Sequence, residues 1–116
     1  MEFFNNDLAG NTPIEAGKWY HVVWRYNKMN GEQAIFLDGK LDAISSYRPP
    51  YLRSDTLYIG YADFSQTSNF TGVMDNLCIW SRVLSDKEIL GIYNQLIELN
   101  PSGWKNTTKY LIPALI

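Results

Sequence analysis

Few residues in this chain could carry catalytic chemistry. His21 is the only histidine and Cys78 the only cysteine. A Ser-His-Asp or Cys-His system pairs a nucleophile with a histidine and an orienting group, so either system would need residues outside this chain. His21 lies in the apolar run WYHVVWRYN, where we expect its ring to be hydrogen-bonded within a sheet. We therefore predict that the chain is not an enzyme.

Glycoside hydrolysis would require a different arrangement, two carboxylates close together on one binding face. No strand of this sequence shows the alternating acidic pattern that would place them so. The carboxylates considered fall in predicted turns or on a predicted helix: Glu15, Glu32, Glu88 and Glu98. One enzymatic alternative stays open, a glycan hydrolase or lyase whose active residues lie outside this chain.

Aromatic and polar side chains in or beside predicted loops form a candidate ligand-binding group. A pyranose ring is apolar on its faces and polar at its rim, so it needs an exposed aromatic platform flanked by amide or carboxylate groups. The candidate residues are Tyr47, Arg48, Tyr51, Tyr61, Asp63 and Phe64. The alternative is that these rings only cap the sheets.

Composition and charge limit the classes of partner. The 116 residues include 10 basic and 12 acidic side chains, a formal charge of −2. Such a chain lacks the basic field that gathers phosphates, so we expect no nucleic-acid partner. No apolar stretch approaches the roughly 20 residues of a membrane span, and we expect no membrane insertion.

The hydrophobic pattern predicts a series of strands. They are expected where β-branched and aromatic residues concentrate, at residues 19–27, 33–37, 40–46, 56–61 and 70–80. The first is apolar on both faces, which predicts a central position in a sheet. Its tryptophans Trp19 and Trp24 are expected in the core, as is Trp80. Asp38-Gly39 predicts a tight hairpin, because both residues tolerate positive φ.

The spacing of apolar residues changes near residue 85, from a pattern typical of strands to one typical of a helix. Ser85-Asp86-Lys87-Glu88 is a capping box, in which the serine hydroxyl and the glutamate carboxylate each bind the other residue's backbone N–H. Apolar residues follow at helical spacing, so we predict a helix over residues 86–97. The tail, residues 98–116, ends in an apolar stretch at 110–116 that is expected to be a last strand or a docking arm.

The motifs GKWYHVV, IFLDGK, LYIG, FTGVMDNLCIW and LSDKEI follow one another between Gly17 and Ile89. In this order they resemble the laminin-G-like family of concanavalin A-like jelly rolls. The resemblance implies an all-β fold: an antiparallel two-sheet β-sandwich with one short C-terminal helix, forming a single domain over residues 1–116. The match covers only the later strands of that fold. We therefore expect a partial sandwich without its N-terminal strands, completed by other chains or by segments of a parent protein.

The same resemblance implies a role for Asp75, which lies within the apolar stretch 70–80. A buried, unpaired carboxylate there would destabilise the fold by roughly several kcal/mol, as other unpaired buried charges do. We therefore expect a cation or hydrogen-bond donors beside it. The family's aspartate at this position helps to bind a structural calcium ion or anchors a neighbouring loop. Asp75 is thus the main candidate metal ligand, with Asn76 or Asp38 as weaker ones, and a metal-free, hydrogen-bonded Asp75 is the alternative.

The leading functional hypothesis is a non-catalytic binding or adhesion module that recognises carbohydrate or protein partners. It rests on the family-like motif order and on the loop aromatics. The alternative is a structural or assembly component of a larger extracellular or virion complex, suggested by the incomplete match and the apolar tail. Either function implies an extracellular, cell-surface or virion-surface location.

Overall fold

The computed structural model describes residues 7–50, 58–60, 69–99 and 112–115. Within them a three-stranded antiparallel sheet has the order β1-β2-β3, and a separate parallel pair joins β4 and β5. The elements in chain order are β1 (Val22–Asn27), β2 (Glu32–Leu37), β3 (Lys40–Ser45), β4 (Leu77–Trp80), α1 (Asp86–Leu99) and β5 (Ile112–Leu115). No helix of the described residues is long and apolar enough to cross a membrane.

The hairpin between β2 and β3 is confirmed. Leu37 pairs with Lys40 across a two-residue turn, in which Asp38 has φ 50° and Gly39 has φ 77°. Positive φ at both central positions is the type I′ geometry, whose twist matches that of the flanking strands. A register shift at Ile35 and Phe36 then marks a bulge in the ladder, which bends the strand pair locally.

β2, not β1, is the central strand of the three-stranded sheet. The prediction for β1 was wrong because its second face stays partly open: Trp24 is 37% exposed. Trp19 and Trp80 are exposed to a similar degree, at 42% and 37%, so the prediction of a tryptophan core was also wrong. Aromatic content indicated strands correctly, but it did not show which faces would be covered.

The core lies between the sheet and the N-terminal part of α1. Val23 of β1 pairs with Phe36 of β2, which places both side chains on one face of the sheet. These two, with Ala34, form a buried cluster with Leu84 and Ile89. Full burial of each large aliphatic or aromatic side chain contributes about 1.5–3 kcal/mol, so this cluster is a main attachment of α1 to the sheet.

The start of α1 confirms the predicted capping box. Glu88 N–H donates to Ser85 Oγ at 3.2 Å, and Ser85 N–H donates to Glu88 Oε2 at 2.8 Å. Arg82 adds a bidentate pair to the same carboxylate, at 3.0 and 2.7 Å. Hydrogen bonds from Arg82, then from the Ser85 backbone, lower the pKa of Glu88 to about 2. Leu84 and Ile89 flank the cap as a hydrophobic staple, which fixes the angle at which the chain enters the helix.

Arg25 is a buried cation that ties the sheet to the helix start. Its Nη2 donates to Glu32 Oε1 on β2 at 2.8 Å, and its Nη1 donates to the Leu84 carbonyl at 3.2 Å and to Asp86. The guanidinium also lies 4.7 Å from the centre of the Phe36 ring, within the range of a cation–π interaction. A side chain from β1 therefore satisfies groups on β2 and on α1 at once.

The segment 70–80 departs most from expectation. It was predicted to be one long, largely buried strand, but only Leu77–Trp80 forms a strand. Its large apolar side chains are mostly half exposed or more, Val73 at 71%. Of the predicted strand at 56–61, only residues 58–60 are described, and they form a bend. The last strand is confirmed within the described residues, where β5 pairs with β4.

Removing the Arg25 guanidinium should destabilise the fold strongly. In Arg25→Met the Glu32 carboxylate stays largely buried without its cation, so we expect the free energy of unfolding to fall by about 3 kcal/mol. Asp86→Asn should cost less than about 1 kcal/mol, since exposed ion pairs contribute little and the Asp86 side chain is 69% exposed. Urea unfolding followed by tryptophan fluorescence measures both.

Adding Glu32→Gln to Arg25→Met should recover part of the loss, because it removes the stranded charge. An Arg25→Met protein as stable as the parent chain would show that the guanidinium does not hold the sheet and the helix start together.

Candidate functional site

The two ends of the three-stranded sheet carry different chemistry. At one end, which we call the turn end, the β1–β2 turn at residues 28–31 meets the chain leaving β3 at residues 46–48. At the other, the hairpin end, the Asp38-Gly39 turn lies beside His21 and α1. Each end contains sequence-predicted residues, exposed or half-buried at the turn end and buried or half-buried at the hairpin end.

Tyr47 and Arg48 sit at the turn end on a backbone that is tied to the neighbouring turn. Tyr47 N–H donates to the Asn30 carbonyl at 3.2 Å, and Arg48 N–H donates to the Gly31 carbonyl at 2.9 Å. Gly31 has φ 64°, and a Cβ there would lie 2.4 Å from the Arg48 carbonyl oxygen. This close approach of two turns requires glycine at residue 31.

The Tyr47 side chain is presented to solvent from a strained backbone. It is 92% exposed and has φ 59°, a conformation that costs L residues other than glycine roughly 1–2 kcal/mol. Arg48 is half buried, and its Nε donates to Ser45 Oγ at 2.8 Å. The guanidinium thus supports the turn, whereas the phenol points away from the described structure. The other predicted members of this group, Tyr51, Tyr61, Asp63 and Phe64, lie outside the described residues.

At the hairpin end, His21 and Asp38 are joined by reciprocal hydrogen bonds. His21 N–H donates to Asp38 Oδ1 at 2.9 Å, and Asp38 N–H donates to the His21 carbonyl at 2.8 Å. The carboxylate therefore holds the hairpin turn against the residue that precedes β1. This role for Asp38 was not predicted, because its partner lies in a different segment.

The His21 ring is buried, with 1% of the residue exposed, and it stacks on Tyr93 of α1 with ring centres 5.9 Å apart. Neither ring nitrogen has a hydrogen-bond partner among the described residues. The expectation of a structural histidine fits this packing, but the expectation of a hydrogen-bonded ring does not. Burial lowers the pKa of His21, and the charge of Asp38 opposes that shift only in part.

A cleft of about 480 Å³ opens beside this packing. It lies between the N-terminal loop, the β2–β3 hairpin and α1, and its lining residues are Thr12, Leu37, Asp38, Lys40, Leu41, Asp42 and Tyr93. Its volume falls within the range of small-molecule sites, but the cleft is open to solvent and its lining is as polar as it is apolar. We call this space the hairpin cleft.

Asp42 holds the N-terminal loop on the wall of the hairpin cleft. Its carboxylate accepts hydrogen bonds from Asn11 N–H at 2.7 Å and from the Thr12 N–H at 3.1 Å and hydroxyl. The Thr12 hydroxyl is the main cause of a lowered Asp42 pKa. Sequence reasoning missed both Asp42 and Tyr93 as site residues. No local signal marked them, because their partners lie far away along the chain.

The predicted calcium ligands are not assembled by the described residues. Asp75 is exposed, so water can solvate its carboxylate, and the argument from a buried charge does not apply. Asn76 is half buried with φ 55°. Nowhere in the described ranges do three or more His, Cys, Asp or Glu side chains gather as a metal site would require. Calcium takes six to eight oxygen ligands, so these residues alone do not fit it, and calcium binding stays a prediction.

Comparison with known proteins agrees with this architecture. Residues 3–90 match the model of a family described as the concanavalin A-like lectin/glucanases superfamily, Laminin_G_3. The chain belongs to this family. The predicted family and all-β fold class are thereby confirmed, and in this chain the sandwich is partial. The parallel pairing of β4 with β5 is an addition that the motifs did not indicate.

One relative and one solved structure are similar to this laminin-G-like chain. Pentraxin-related protein PTX3 of Mus musculus is 28% identical over 115 residues, covering 85% of this chain but 30% of the relative. A solved S-layer domain-containing protein from Clostridium thermocellum ATCC 27405 superposes with a TM-score of 0.60 at 19% identity, covering 72% of this chain and 43% of that one. The second likeness concerns the fold alone. The chain thus spans less than half the length of either protein.

The buried His21 ring should make the fold sensitive to mild acid. Its pKa is lowered in the folded state, so the unfolded chain takes up a proton near the ordinary value of about 6.5 while the folded chain does not. The free energy of unfolding should therefore fall as the pH drops below about 6.5 and level off below the folded-state pKa.

His21→Phe keeps a ring against Tyr93 and removes the titrating group. In this variant the free energy of unfolding should no longer fall because of His21 as the pH drops below about 6.5. Urea unfolding between neutral pH and about pH 5, together with NMR titration of the only imidazole, measures the effect. A His21 ring that titrates at or above its ordinary pKa in the folded protein would contradict the burial argument.

Proposed function

We propose that this chain is a non-catalytic binding module that recognises carbohydrate or protein partners through its turn end. The observation that carries the proposal is Tyr47, a large aromatic side chain that is 92% exposed from a left-handed backbone conformation. Strained residues persist only where the surrounding structure over-determines them, and they concentrate at functional sites. Here the hydrogen bonds to Asn30 and Gly31 impose the strain.

The chemistry of tyrosine suits this role. Its ring supplies apolar contact area and its hydroxyl a polar edge, at little loss of side-chain entropy, and tyrosine is enriched among the residues that dominate binding energy. Arg48 fixes the adjoining backbone through Ser45. Tyr51, Tyr61, Asp63 and Phe64 are proposed to extend the same surface, and a location outside the cell or on a cell or virion surface is proposed with them.

The burial of His21 also favours binding over catalysis. The only histidine of the chain is 1% exposed and lies under Tyr93, so its ring is not open to a substrate at the surface. A general base must come within hydrogen-bonding distance of the proton that it removes. Family membership supports the same proposal, although this superfamily includes glucanases as well as lectins.

Replacing Tyr47 should separate binding from stability. Tyr47→Gly removes the ring and relieves the positive φ, so we expect the free energy of unfolding to stay level or rise by up to about 1 kcal/mol. Binding to the ligands found on a glycan array, or on a panel of immobilised proteins, should weaken by at least about tenfold. Ile14→Gly is the control, because Ile14 is a large apolar side chain, 59% exposed, in the N-terminal loop outside the turn end.

A Tyr47→Gly protein that binds as tightly as the parent chain would remove this residue from the recognition surface. Equal losses in Tyr47→Gly and Ile14→Gly would indicate a general change in the chain and would contradict a specific role for Tyr47.

A second candidate function is structural assembly, for which the segment 70–80 provides the observation. Its exposed large apolar side chains are Phe70, Val73, Met74, Leu77, Ile79 and Trp80. Apolar surface of this kind, alongside a short strand, favours association with further protein. Other copies of this chain or segments of a parent protein would then cover it.

Charges placed on this segment should prevent association. If the parent chain self-associates, Val73→Lys and Ile79→Lys are expected to shift it toward the monomer in sedimentation-velocity experiments, because a lysine ammonium cannot be buried without a partner. Met29→Lys, equally exposed but at the turn end, should leave the distribution unchanged. If the chain without substitutions is a stable monomer at high concentration, that result would argue against self-assembly.

A further inference from the structure

We propose that the hairpin cleft is a second recognition site, one that binds a neutral saccharide unit. The turn end and the hairpin cleft lie at opposite ends of the same sheet. The inference deepens the proposed binding function by naming a ligand class, but it does not depend on Tyr47.

The first argument is that polar groups of three kinds line one open cleft and keep hydrogen-bonding capacity that the described structure does not use. Asp38 accepts a hydrogen bond through Oδ1 from His21, and no described residue donates to its Oδ2. Lys40 forms no ion pair and Tyr93 no side-chain hydrogen bond with the described residues. The cleft therefore offers a carboxylate acceptor, an ammonium donor and a hydroxyl that does both.

The second argument is that two of these groups, Asp38 and Tyr93, are held in place before any ligand arrives. Asp38 is fixed by its exchange of hydrogen bonds with His21. The Tyr93 ring is stacked on His21, and it is packed so closely against Gly39 that a Cβ there would lie 3.0 Å from it. Asp42 holds the loop that forms the opposite wall. Preorganised groups lose little entropy on binding, which favours a ligand site over an incidental surface hollow.

The third argument selects the ligand class. Leu37, Leu41 and the Tyr93 ring give the cleft apolar surface, on which the face of a sugar ring packs. Neighbouring sugar hydroxyls donate to a carboxylate such as Asp38 and accept from an ammonium such as Lys40. Two carboxylates against one ammonium leave the lining net negative, so sulfated or carboxylated glycans are disfavoured. A neutral saccharide satisfies all three conditions.

The test is residue-specific NMR of the full chain titrated with neutral mono- and disaccharides, namely glucose, galactose, mannose, N-acetylglucosamine and their dimers. We expect at least one of them to shift the amide signals of Lys40, Asp42 and Tyr93 in a saturable way, and any shifts at residues 28–31 report separately on the turn end. A sulfated disaccharide should leave the cleft signals unchanged.

Three conservative variants test which side chains of the hairpin cleft bind the saccharide. Asp38→Asn keeps the turn and an oxygen acceptor, Lys40→Met keeps the stem, and Tyr93→Phe keeps the ring that stacks on His21. The Asp38 and Lys40 changes each remove a charged hydrogen-bonding partner, so each should weaken saccharide binding by about tenfold, and Tyr93→Phe should weaken it less. Lys28→Met, at the turn end, is the matched control and should bind as the parent chain does.

Tyr47→Gly should also leave the cleft shifts intact, so failure of the turn-end proposal and failure of this one are separately visible. Absence of saturable shifts with every neutral sugar would overturn the inference. Shifts produced only by a lysine-rich peptide or only by the sulfated sugar would overturn it too, since they would assign the cleft to a different ligand class. Cleft shifts that persist unchanged in Lys40→Met and Asp38→Asn would equally reject the proposed contacts.

Discussion

The buried guanidinium of Arg25 is the interaction on which the rest of this structure depends. It lies on β1, pairs with Glu32 of β2 and binds the Leu84 carbonyl at the entrance to α1. A charge in the interior is unfavourable unless every surrounding group cooperates. That requirement couples the sheet to the helix start, because neither Glu32 nor Leu84 can move without leaving the cation unsatisfied.

The apolar contacts and the hydrogen bonds of Arg25 both hold the start of α1 against the sheet. We call this junction the joint. Leu84 and Ile89 are buried on Val23 and Phe36, while Ser85 and Glu88 cap the helix between them. Once this joint is formed, the direction of α1 is set, and Tyr93 further along it reaches the His21 ring. The hairpin cleft is thus a consequence of how the helix start is anchored, and its chemistry comes from residues that the anchoring brings together.

Stability and the surfaces proposed for recognition are divided between regions of this laminin-G-like chain. Apart from the buried Nε of Arg25, the anchored joint holds its polar groups in mutual hydrogen bonds. The turn end, by contrast, presents Tyr47 from a strained backbone, and the segment 70–80 leaves apolar side chains exposed. Neither feature stabilises the isolated chain. Features that cost stability yet lie at the surface are those expected where a partner or ligand supplies the missing contacts.

Local chemistry in the sequence determined the hairpin at Asp38-Gly39 and the capping box at Ser85, since each depends on residues within a few positions of one another. The order of five short motifs along the chain determined the family. Burial was not determined in this way: Trp24, Asp75 and the segment 70–80 were assigned to the interior from their composition, and the fold leaves them partly or wholly exposed. Only the tertiary structure decided three sets of contacts. These are the hydrogen bonds of Arg25 to the helix start, the anchoring of Asn11 and Thr12 by Asp42, and the stacking of His21 on Tyr93. The physical reason is that a residue's own pattern shows which conformation it favours, whereas its partners and its exposure depend on which distant segments pack against it.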